Sequence, residues 1–255
     1  MTAGLAIRFH PLSTTMGKSP SLTVETGPAT KAVSVVIVDD HPVLVSYLTE
    51  LLQRNERYKV VGRADTAKGA LEVCREKKPA LVFLDIVLLD SNDLTCLRQL
   101  RLEFPRIRVL VFTGRLGTTL VGDLLLAGAN GILGKTVRMQ EIIEATDRVA
   151  DGGMYLCAQA CDSVRKLVAA APPDRTRRPE LSRQELTVLQ HIAAGLSTKQ
   201  IASKMELSQN TINAFRGRLM KKTGRHTTAD LVLHAARLGL VRVPGLRVAT
   251  TNPTG

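Results

Sequence analysis

The stretch VVIVDDHP at residues 35–42 decides the fold of the first half of the chain. Its four β-branched apolar residues are typical of a buried strand, and two aspartates, a histidine and a proline follow where that strand ends. Proline is favoured in the first turn of a helix, so the stretch predicts a strand that leads through a polar turn into a helix.

Short apolar runs and helical patterns alternate from residue 33 to residue 150. The predicted strands are 33–38, 59–62, 81–84, 108–112 and 131–133, and the predicted helices are 43–53, 67–77, 94–103, 119–127 and 139–150. Parallel neighbours need a crossover helix, and crossovers are right-handed. The alternation therefore predicts an α/β domain with a doubly wound, five-stranded parallel sheet.

The strands stop after this domain, and helices take over. A short helix is predicted at 159–170, and the Pro/Arg-rich stretch 171–180 is typical of an exposed linker. Four helices are then predicted at 183–193, 198–205, 209–223 and 229–238, which indicates a small all-α domain. We divide the chain into a flexible N-terminal extension (1–32), the α/β domain (33–151), a linker with a short helix (152–176), the helical domain (177–242) and a flexible tail (243–255).

Composition agrees with two compact domains, since 255 residues with 44% hydrophobic side chains exceed one small core. The sequence lacks an apolar run of roughly 18 residues and a secretory signal, so we expect a cytoplasmic protein without membrane contact. The four cysteines form no C-x-x-C pair, and we expect reduced structural thiols.

The net charge of +12 is concentrated at the end of the chain, because residues 174–255 carry 14 Lys and Arg against 5 Asp and Glu. Such a segment either binds nucleic acid or is a solvated surface.

Polar residues follow four of the predicted strands. Asp39 and Asp40 follow the first, Asp85 the third, Thr113 ends the fourth and Lys135 follows the fifth. The carboxyl ends of parallel strands meet at one edge of the sheet, so these side chains should converge. Crowded carboxylates need a cation, and oxygen ligands favour Mg²⁺. Asp85 could then be a phosphoryl acceptor, with Mg²⁺ and Lys135 neutralising charge and Thr113 fixing geometry.

Each of these residues has a simpler interpretation when taken alone. Asp39 and Asp40 could cap the following helix, Thr113 could be an ordinary strand end, and Lys135 could be solvated. The occurrence of these residue types at four strand ends, in this order, favours the functional interpretation.

Helix caps and an amphipathic helix are predicted within residues 181–224, LSRQELTVLQHIAAGLSTKQIASKMELSQNTINAFRGRLMKKTG. Ser197 and Ser208 are predicted helix caps that flank a tight connection at Glu206 and Leu207. On the helix that follows Ser208, one face should enter the core and the opposite face should point outward. The predicted core residues are Ile212, Phe215 and Leu219, and the outward residues are Asn210, Asn213, Ala214 and Gly217.

These motifs carry a family resemblance. The stretches VVIVDDHP, LVFLD, VLVFTG and GILGK resemble the receiver domain of NarL/FixJ-type response regulators, and the block from residue 181, continued to Val241, resembles the LuxR-type helix-turn-helix. The resemblance implies that Asp85 accepts phosphate from a sensor histidine kinase. It also implies that Asp40, Asp85 and the Val87 carbonyl ligate Mg²⁺, while Asp39 acts mainly through water.

For the second domain, the resemblance implies binding to double-stranded DNA. Asn210 and Asn213 are the base-reading candidates, with Ala214 and Gly217 permitting close approach. Predicted phosphate contacts come from basic residues around this face: Lys199, Lys204, Arg216, Arg218, Lys221, Lys222 and Arg225. The alternative is a helix bundle with a solvated basic side.

The helix at 229–238 has an apolar stripe of Leu231, Val232, Ala235 and Leu238. It either dimerises the domain, as the resemblance implies, or belongs only to the core.

The chain also departs from the family pattern. It has Leu88-Leu89-Asp90 and Asp93 where Met-Pro-Gly and a later Gly are usual, Ile132 where Tyr or Phe is usual, and Asn213 and Phe215 where Lys and His are frequent.

Three functions are weighed on this basis. The leading hypothesis is a transcriptional regulator of a two-component system that is switched by phosphorylation, with RNA polymerase as a further candidate partner and a homodimer as the phosphorylated form. A Mg²⁺-dependent phosphohydrolase is disfavoured, because Val87 stands where a second carboxylate is needed and no substrate domain is inserted. We therefore expect no enzyme. The third is a phosphorylation-independent DNA-binding protein whose receiver serves as a dimerisation module.

Overall fold

The computed structural model describes residues 32–91, 94–170 and 179–241. The predicted N-terminal extension before Ala32, most of the Pro/Arg-rich linker, Asp93 and the predicted tail lie outside these residues. Within them, no helix is both long and apolar enough to cross a membrane.

The first domain is built on one parallel sheet with the strand order β2-β1-β3-β4-β5-β6. The strands are β1 (Val33–Val38), β2 (Tyr58–Ala64), β3 (Leu81–Leu84), β4 (Arg108–Thr113), β5 (Gly131–Gly134) and β6 (Tyr155–Leu156). The central strands are buried because helices cover both faces of a parallel sheet. Since β1 lies between β2 and β3, the winding reverses there, and such a reversal is where ligands bind in open α/β sheets.

The predicted doubly wound fold is confirmed, but within the described residues the sheet has six strands in place of the expected five. The additional strand, β6, pairs in parallel with β5 at the edge of the sheet. It has two residues, which are too few to show an alternating pattern in the sequence.

Six helices accompany this sheet in the part of the chain that the structure describes. They are α1 (Pro42–Gln53), α2 (Ala67–Lys77), α3 (Thr95–Glu103), α4 (Thr118–Leu126), α5 (Met139–Ala150) and α6 (Ala158–Ala170). Each lies within one residue of its predicted bounds, because the apolar spacing and the flanking turn residues mark both ends.

The second domain consists of α7 (Arg183–Ala193), α8 (Thr198–Met205), α9 (Gln209–Thr223) and α10 (Thr228–Arg237). The predicted caps are present, since Ser197 accepts a hydrogen bond from the Gln200 amide and Ser208 accepts one from the Thr211 amide. Ile212, Phe215 and Leu219 on α9 are buried, as their spacing predicted.

The apolar stripe of α10 is buried inside the chain. Leu231, Val232, Ala235 and Leu238 are all shielded, and α10 contacts α7 and α9 of its own domain as well as α4 and α6 of the first domain. In this structure the stripe is core, which was one of the two interpretations left open. It could form a dimer interface only after these contacts separate.

Candidate functional site

An acidic pocket lies at the carboxyl ends of β1, β3 and β5. Asp39 and Asp85 are buried, with 4% and 3% of their surfaces exposed. The Nζ atom of Lys135 lies 2.8 Å from Oδ2 of Asp39 and 2.5 Å from Oδ2 of Asp85. The structure therefore brings together three of the predicted site residues, and it places the ammonium between the two buried carboxylates.

The pKa of the Lys135 ammonium reflects the charge balance of this pocket. Burial by itself would lower the pKa of its ammonium, but the hydrogen bonds and negative charges of Asp39 and Asp85 outweigh burial and raise the pKa above its ordinary value. Lys135 therefore remains a cation throughout the neutral range, and it neutralises part of the carboxylate charge.

Asp40 supplies an oxygen that the described protein leaves unsatisfied. Its Oδ1 is buried and has no hydrogen-bond partner among the described residues. Nδ1 of His41 lies 2.7 Å away, but that close contact lacks hydrogen-bonding geometry. A buried carboxylate oxygen without a donor is a costly arrangement that a cation would relieve.

The donor set fits a hard cation. Asp39, Asp40, His41 and Asp85 each offer a ligand atom, and these atoms all lie within 4.8 Å of one another. Three of the four are carboxylates, which suits Mg²⁺. No function was predicted for His41, although its position next to Asp40 in the sequence was the available signal.

The capping alternative for the two aspartates is wrong for this helix. His41 is the N-cap of α1, its side chain makes no capping bond within the described part of the chain, and Pro42 occupies the first turn. Asp39 instead accepts a hydrogen bond of 2.9 Å from the backbone N–H of His41. That bond fixes the turn that carries Asp40.

Asp85 is held in one orientation. Its Oδ1 accepts hydrogen bonds from the backbone N–H groups of Ile86 at 2.7 Å and Val87 at 3.3 Å, while Oδ2 faces Lys135. Val87, the predicted carbonyl ligand, is thereby placed in the turn directly beside the carboxylate. One oxygen of Asp85 is occupied by the turn, and the other lies in the pocket.

Thr113 is buried at the end of β4. Its Oγ1 accepts a hydrogen bond from the Arg115 N–H at 3.3 Å, and its carbonyl accepts one from the Lys135 N–H at 2.9 Å. Thr113 thus connects the lysine with the loop before α4. Ile132, which stands where the family has an aromatic residue, is fully buried and pairs with Val111.

The exposed face of α9 is the candidate nucleic-acid interface. Asn210, Asn213, Ala214 and Gly217 are all exposed, as predicted from their spacing. A side chain added at Gly217 would meet nothing within 4 Å. This face is polar, open and free of large side chains, which permits close approach to a groove.

The predicted phosphate contacts fall into two groups. Lys199, Lys204, Arg218 and Lys221 are exposed around α8 and α9. Arg218 also lies over the ring of Phe215, 4.3 Å from its centre, and its Nε is 3.8 Å from Glu185.

The second group is engaged within the protein. Lys222 donates to the buried Glu185 at 2.7 Å, and this bond lowers the pKa of that carboxyl. Arg225 lies 3.6 Å from Asp230. Arg216 is half-buried. Burial, with a further contribution from the positive charge of Arg108, lowers the pKa of the Arg216 guanidinium to about 10. Phosphate binding would compete with the ion pairs of Lys222 and Arg225, and at Arg216 it would have to overcome burial.

Comparison with known proteins finds one match for each of the two domains. The model of the response regulator receiver domain matches residues 35–147, and the model of bacterial regulatory proteins of the luxR family matches residues 179–235. The positive transcription regulator of virulence factors BvgA from Bordetella pertussis is 34% identical over 206 residues, which cover 81% of this chain and 98% of that protein. The DNA-binding transcriptional activator DevR/DosR of Mycobacterium tuberculosis is 30% identical over 84% of this chain and 98% of that protein.

Solved structures show the same fold. A response regulator RcsB–DNA complex aligns with a TM-score of 0.51 at 19% identity, covering 82% of this chain and 100% of that one. The receiver and helix-turn-helix matches, together with relatives that align over nearly their whole length, identify a group of transcription regulators and not of enzymes. The chain therefore belongs to the two-component response regulators, with a receiver domain followed by a LuxR-type helix-turn-helix domain.

Proposed function

We propose that Asp85 accepts a phosphoryl group from a sensor histidine kinase and that this modification controls DNA binding by the exposed face of α9. The observation that carries the proposal is the Lys135 ammonium between Asp39 and Asp85, in a pocket where Asp40 adds an unsatisfied carboxylate oxygen. A nucleophilic carboxylate, a fixed cation and an open metal position are what in-line phosphoryl transfer requires.

The reaction can be followed at Asp85. Its pocket-facing oxygen attacks phosphorus, the bond from phosphorus to the donor's histidine nitrogen breaks, and an acyl phosphate forms while the imidazole leaves with the bonding electron pair. Lys135 lies 2.5 Å from that oxygen and can neutralise charge on the transferring group. Asp40, Asp85 and the Val87 carbonyl would hold Mg²⁺, with Asp39 acting through water. The bound ion would supply further neutralisation and orient the phosphoryl oxygens.

Phosphorylation would redistribute the contacts of Lys135 and Thr113. It adds roughly two negative charges beside a lysine that Asp39 and Asp85 already share. The Thr113 hydroxyl is bound by the loop before α4, and α4 contacts α10 of the DNA-binding domain. A change at the pocket can thus bias the position of the second domain.

DNA recognition is assigned to α9. Asn210 and Asn213 would read base edges in the major groove, and Ala214 and Gly217 would allow the helix to approach. Lys199, Lys204, Arg218 and Lys221 would bind phosphates, joined after rearrangement by Arg216, Lys222 and Arg225. We propose a homodimer on a two-fold site as the phosphorylated form, with RNA polymerase as a further partner.

The test is phosphorylation by a small-molecule donor such as acetyl phosphate in the presence of Mg²⁺. Wild type should be modified, and Asp85→Asn should not. Asp123→Asn, at an exposed position on α4, is the matched control and should be modified like wild type. Binding of each protein to genomic DNA fragments is then measured at fixed salt. The proposal fails if wild type takes no phosphate or if phosphate leaves DNA binding unchanged.

The second candidate is a phosphorylation-independent DNA-binding protein whose receiver is a dimerisation module. One observation favours it: Ile132 has no polar tip and is fully buried, so it cannot follow the Thr113 hydroxyl as an aromatic phenol could. Under this function, Asp85→Asn binds DNA and dimerises like wild type, whatever phosphodonor is supplied.

A further inference from the structure

The turn after Asp85 is closed by its own backbone. The Leu88 N–H donates to the Ser91 carbonyl at 2.6 Å, and the Ser91 N–H donates back to the Leu88 carbonyl at 3.2 Å. Leu89 and Asp90 therefore form the tip of a tight turn. Leu89 is 71% exposed, so its side chain does little to hold this tip in place.

Asp90 binds the start of another helix. Its Oδ1 accepts a hydrogen bond of 2.6 Å from the Ala67 N–H, and its Oδ2 accepts one of 3.2 Å from the Lys68 N–H. Thr66, the N-cap of α2, accepts the next one from the Gly69 N–H at 3.1 Å. The first three amides of α2 are thus satisfied, two of them by a carboxylate from a different segment.

The charge of Asp90 suits this position. The first turn of α2 contains no acidic residue of its own within the described chain, and a helix N-terminus favours a negative charge. The hydrogen bond from Ala67, followed by the bond from Lys68, holds the pKa of the Asp90 carboxyl below its ordinary value despite some desolvation. The carboxylate form that makes both bonds is therefore the one present at neutral pH.

Two backbone hydrogen bonds at the acidic pocket also connect the segments on either side of this turn. The Asp39 N–H donates to the Ala64 carbonyl at 3.0 Å, two residues before the cap of α2. The Asp85 N–H donates to the Val38 carbonyl at 2.8 Å, which ties the other end of the turn to β1. In the chain, Val87 lies between Asp85, which is tied to β1, and Asp90, which is tied to α2.

We propose that Asp90 is a positioning residue for the Mg²⁺ site, which keeps the Val87 carbonyl beside Asp85 by fastening the turn of residues 86–91 to the N-terminus of α2. The contribution of Val87 to the metal site rests on the function proposed above. Asp90 itself touches neither the metal position nor the transferred group. Its effect is mechanical, because a turn that is fastened at one end only would sample positions in which the carbonyl faces away.

The experiment compares the full-length proteins wild type, Asp90→Ala, Asp90→Asn and Thr66→Ala by calorimetric titration with Mg²⁺ alone. Thr66→Ala is the matched control, because it removes a cap from the same helix and leaves the turn attached. Asp90→Ala should weaken Mg²⁺ binding about 10-fold, in the range for residues that support metal ligands, and Asp90→Asn should fall between it and wild type. Thr66→Ala should bind as wild type does.

Hydrogen exchange provides a second readout without metal. In Asp90→Ala, the Ala67 and Lys68 amides should exchange faster, together with the amides of the turn. Unchanged Mg²⁺ affinity in Asp90→Ala, or an equal loss in Thr66→Ala, overturns the inference. If Asp90→Ala alone binds Mg²⁺ more weakly but no protein accepts phosphate from acetyl phosphate, the positioning role stands and the proposed function fails.

Discussion

Replacing Lys135 with alanine tests the electrostatics of the pocket directly. The substitution leaves Asp39 and Asp85 without the cation that lies within 2.8 Å of both. At an effective dielectric of about 20, one ion pair at this separation has a Coulomb energy of about 6 kcal/mol. The cost of desolvating the ions offsets much of this attraction, and removing one partner of a buried pair typically costs about 3–5 kcal/mol.

The low end of that range applies, because the Lys135 side chain keeps 19% exposure and water can enter after truncation. We expect Lys135→Ala to lower the free energy of unfolding by about 3 kcal/mol in EDTA at pH 7, measured by urea unfolding followed by circular dichroism. Saturating Mg²⁺ should restore more stability to the variant than it adds to wild type, since the ion then replaces the missing cation.

Lys77→Ala is the control for losing a lysine at the surface. Lys77 pairs with its neighbour Glu76 on the exposed side of α2, where such a pair contributes less than about 1 kcal/mol. If Lys135→Ala costs no more than Lys77→Ala, the pocket carboxylates do not depend on the ammonium. An equal Mg²⁺ effect on variant and wild type would separately refute the idea that the ion and Lys135 balance the same charges.

Three further predictions concern acid stability, thiols and DNA. The pKa of Glu185 in the folded protein lies below its ordinary 4.5, because Lys222 and the Ser182 amide bind the carboxylate. The carboxylate therefore stabilises the fold above pH 4.5, and this stabilisation is lost as the pH falls through the pKa of the folded state. The difference in urea midpoint between wild type and Glu185→Gln should accordingly shrink on acidification. Burial raises the pKa of Cys74 to about 11 and of Cys96 to about 12, so both should resist a thiol reagent at pH 8 in native protein and react in denaturant. In anisotropy titrations, Asn213→Ala should cost about 1–3 kcal/mol on the preferred sequence only, whereas Lys221→Ala should weaken binding to all sequences and reduce the salt slope by about 1.

The fold was predictable wherever its cause is local. Each of the four central strands contains consecutive buried apolar residues, which a sheet covered on both faces requires. Ser197 and Ser208 were predicted as caps because a hydroxyl before an apolar-periodic segment satisfies that helix's own amides. In the same way, Asp39, Asp85 and Lys135 were predicted to meet because parallel strands bring their carboxyl ends to one edge.

Contacts between distant segments were not predictable in this way. The bond from Ala67 to Asp90 joins residues 23 positions apart, and the sequence shows only an acidic residue in a loop. The bond between Lys222 and Glu185 spans 37 positions, although the sequence indicates only a lysine near a candidate DNA-binding face. In both cases the residue type indicates that a partner is needed, and only the packing of the elements selects which one.

The stripe on α10 shows why this limit matters for function. The helical spacing of Leu231, Val232 and Ala235 predicts that this face is covered, because a broad apolar face exposed to water is unfavourable. The spacing does not say what covers the face, since a receiver helix and a second subunit would both satisfy the same pattern. In the structure the stripe is buried, and α10 contacts α4 and α6 as well as helices of its own domain. A dimer that used this face would therefore first have to give up some of its present contacts within the chain. Under the homodimer proposed above, contact with the receiver and dimerisation through α10 would compete wherever they use the same residues, and a signal that loosens α4 would favour the dimer.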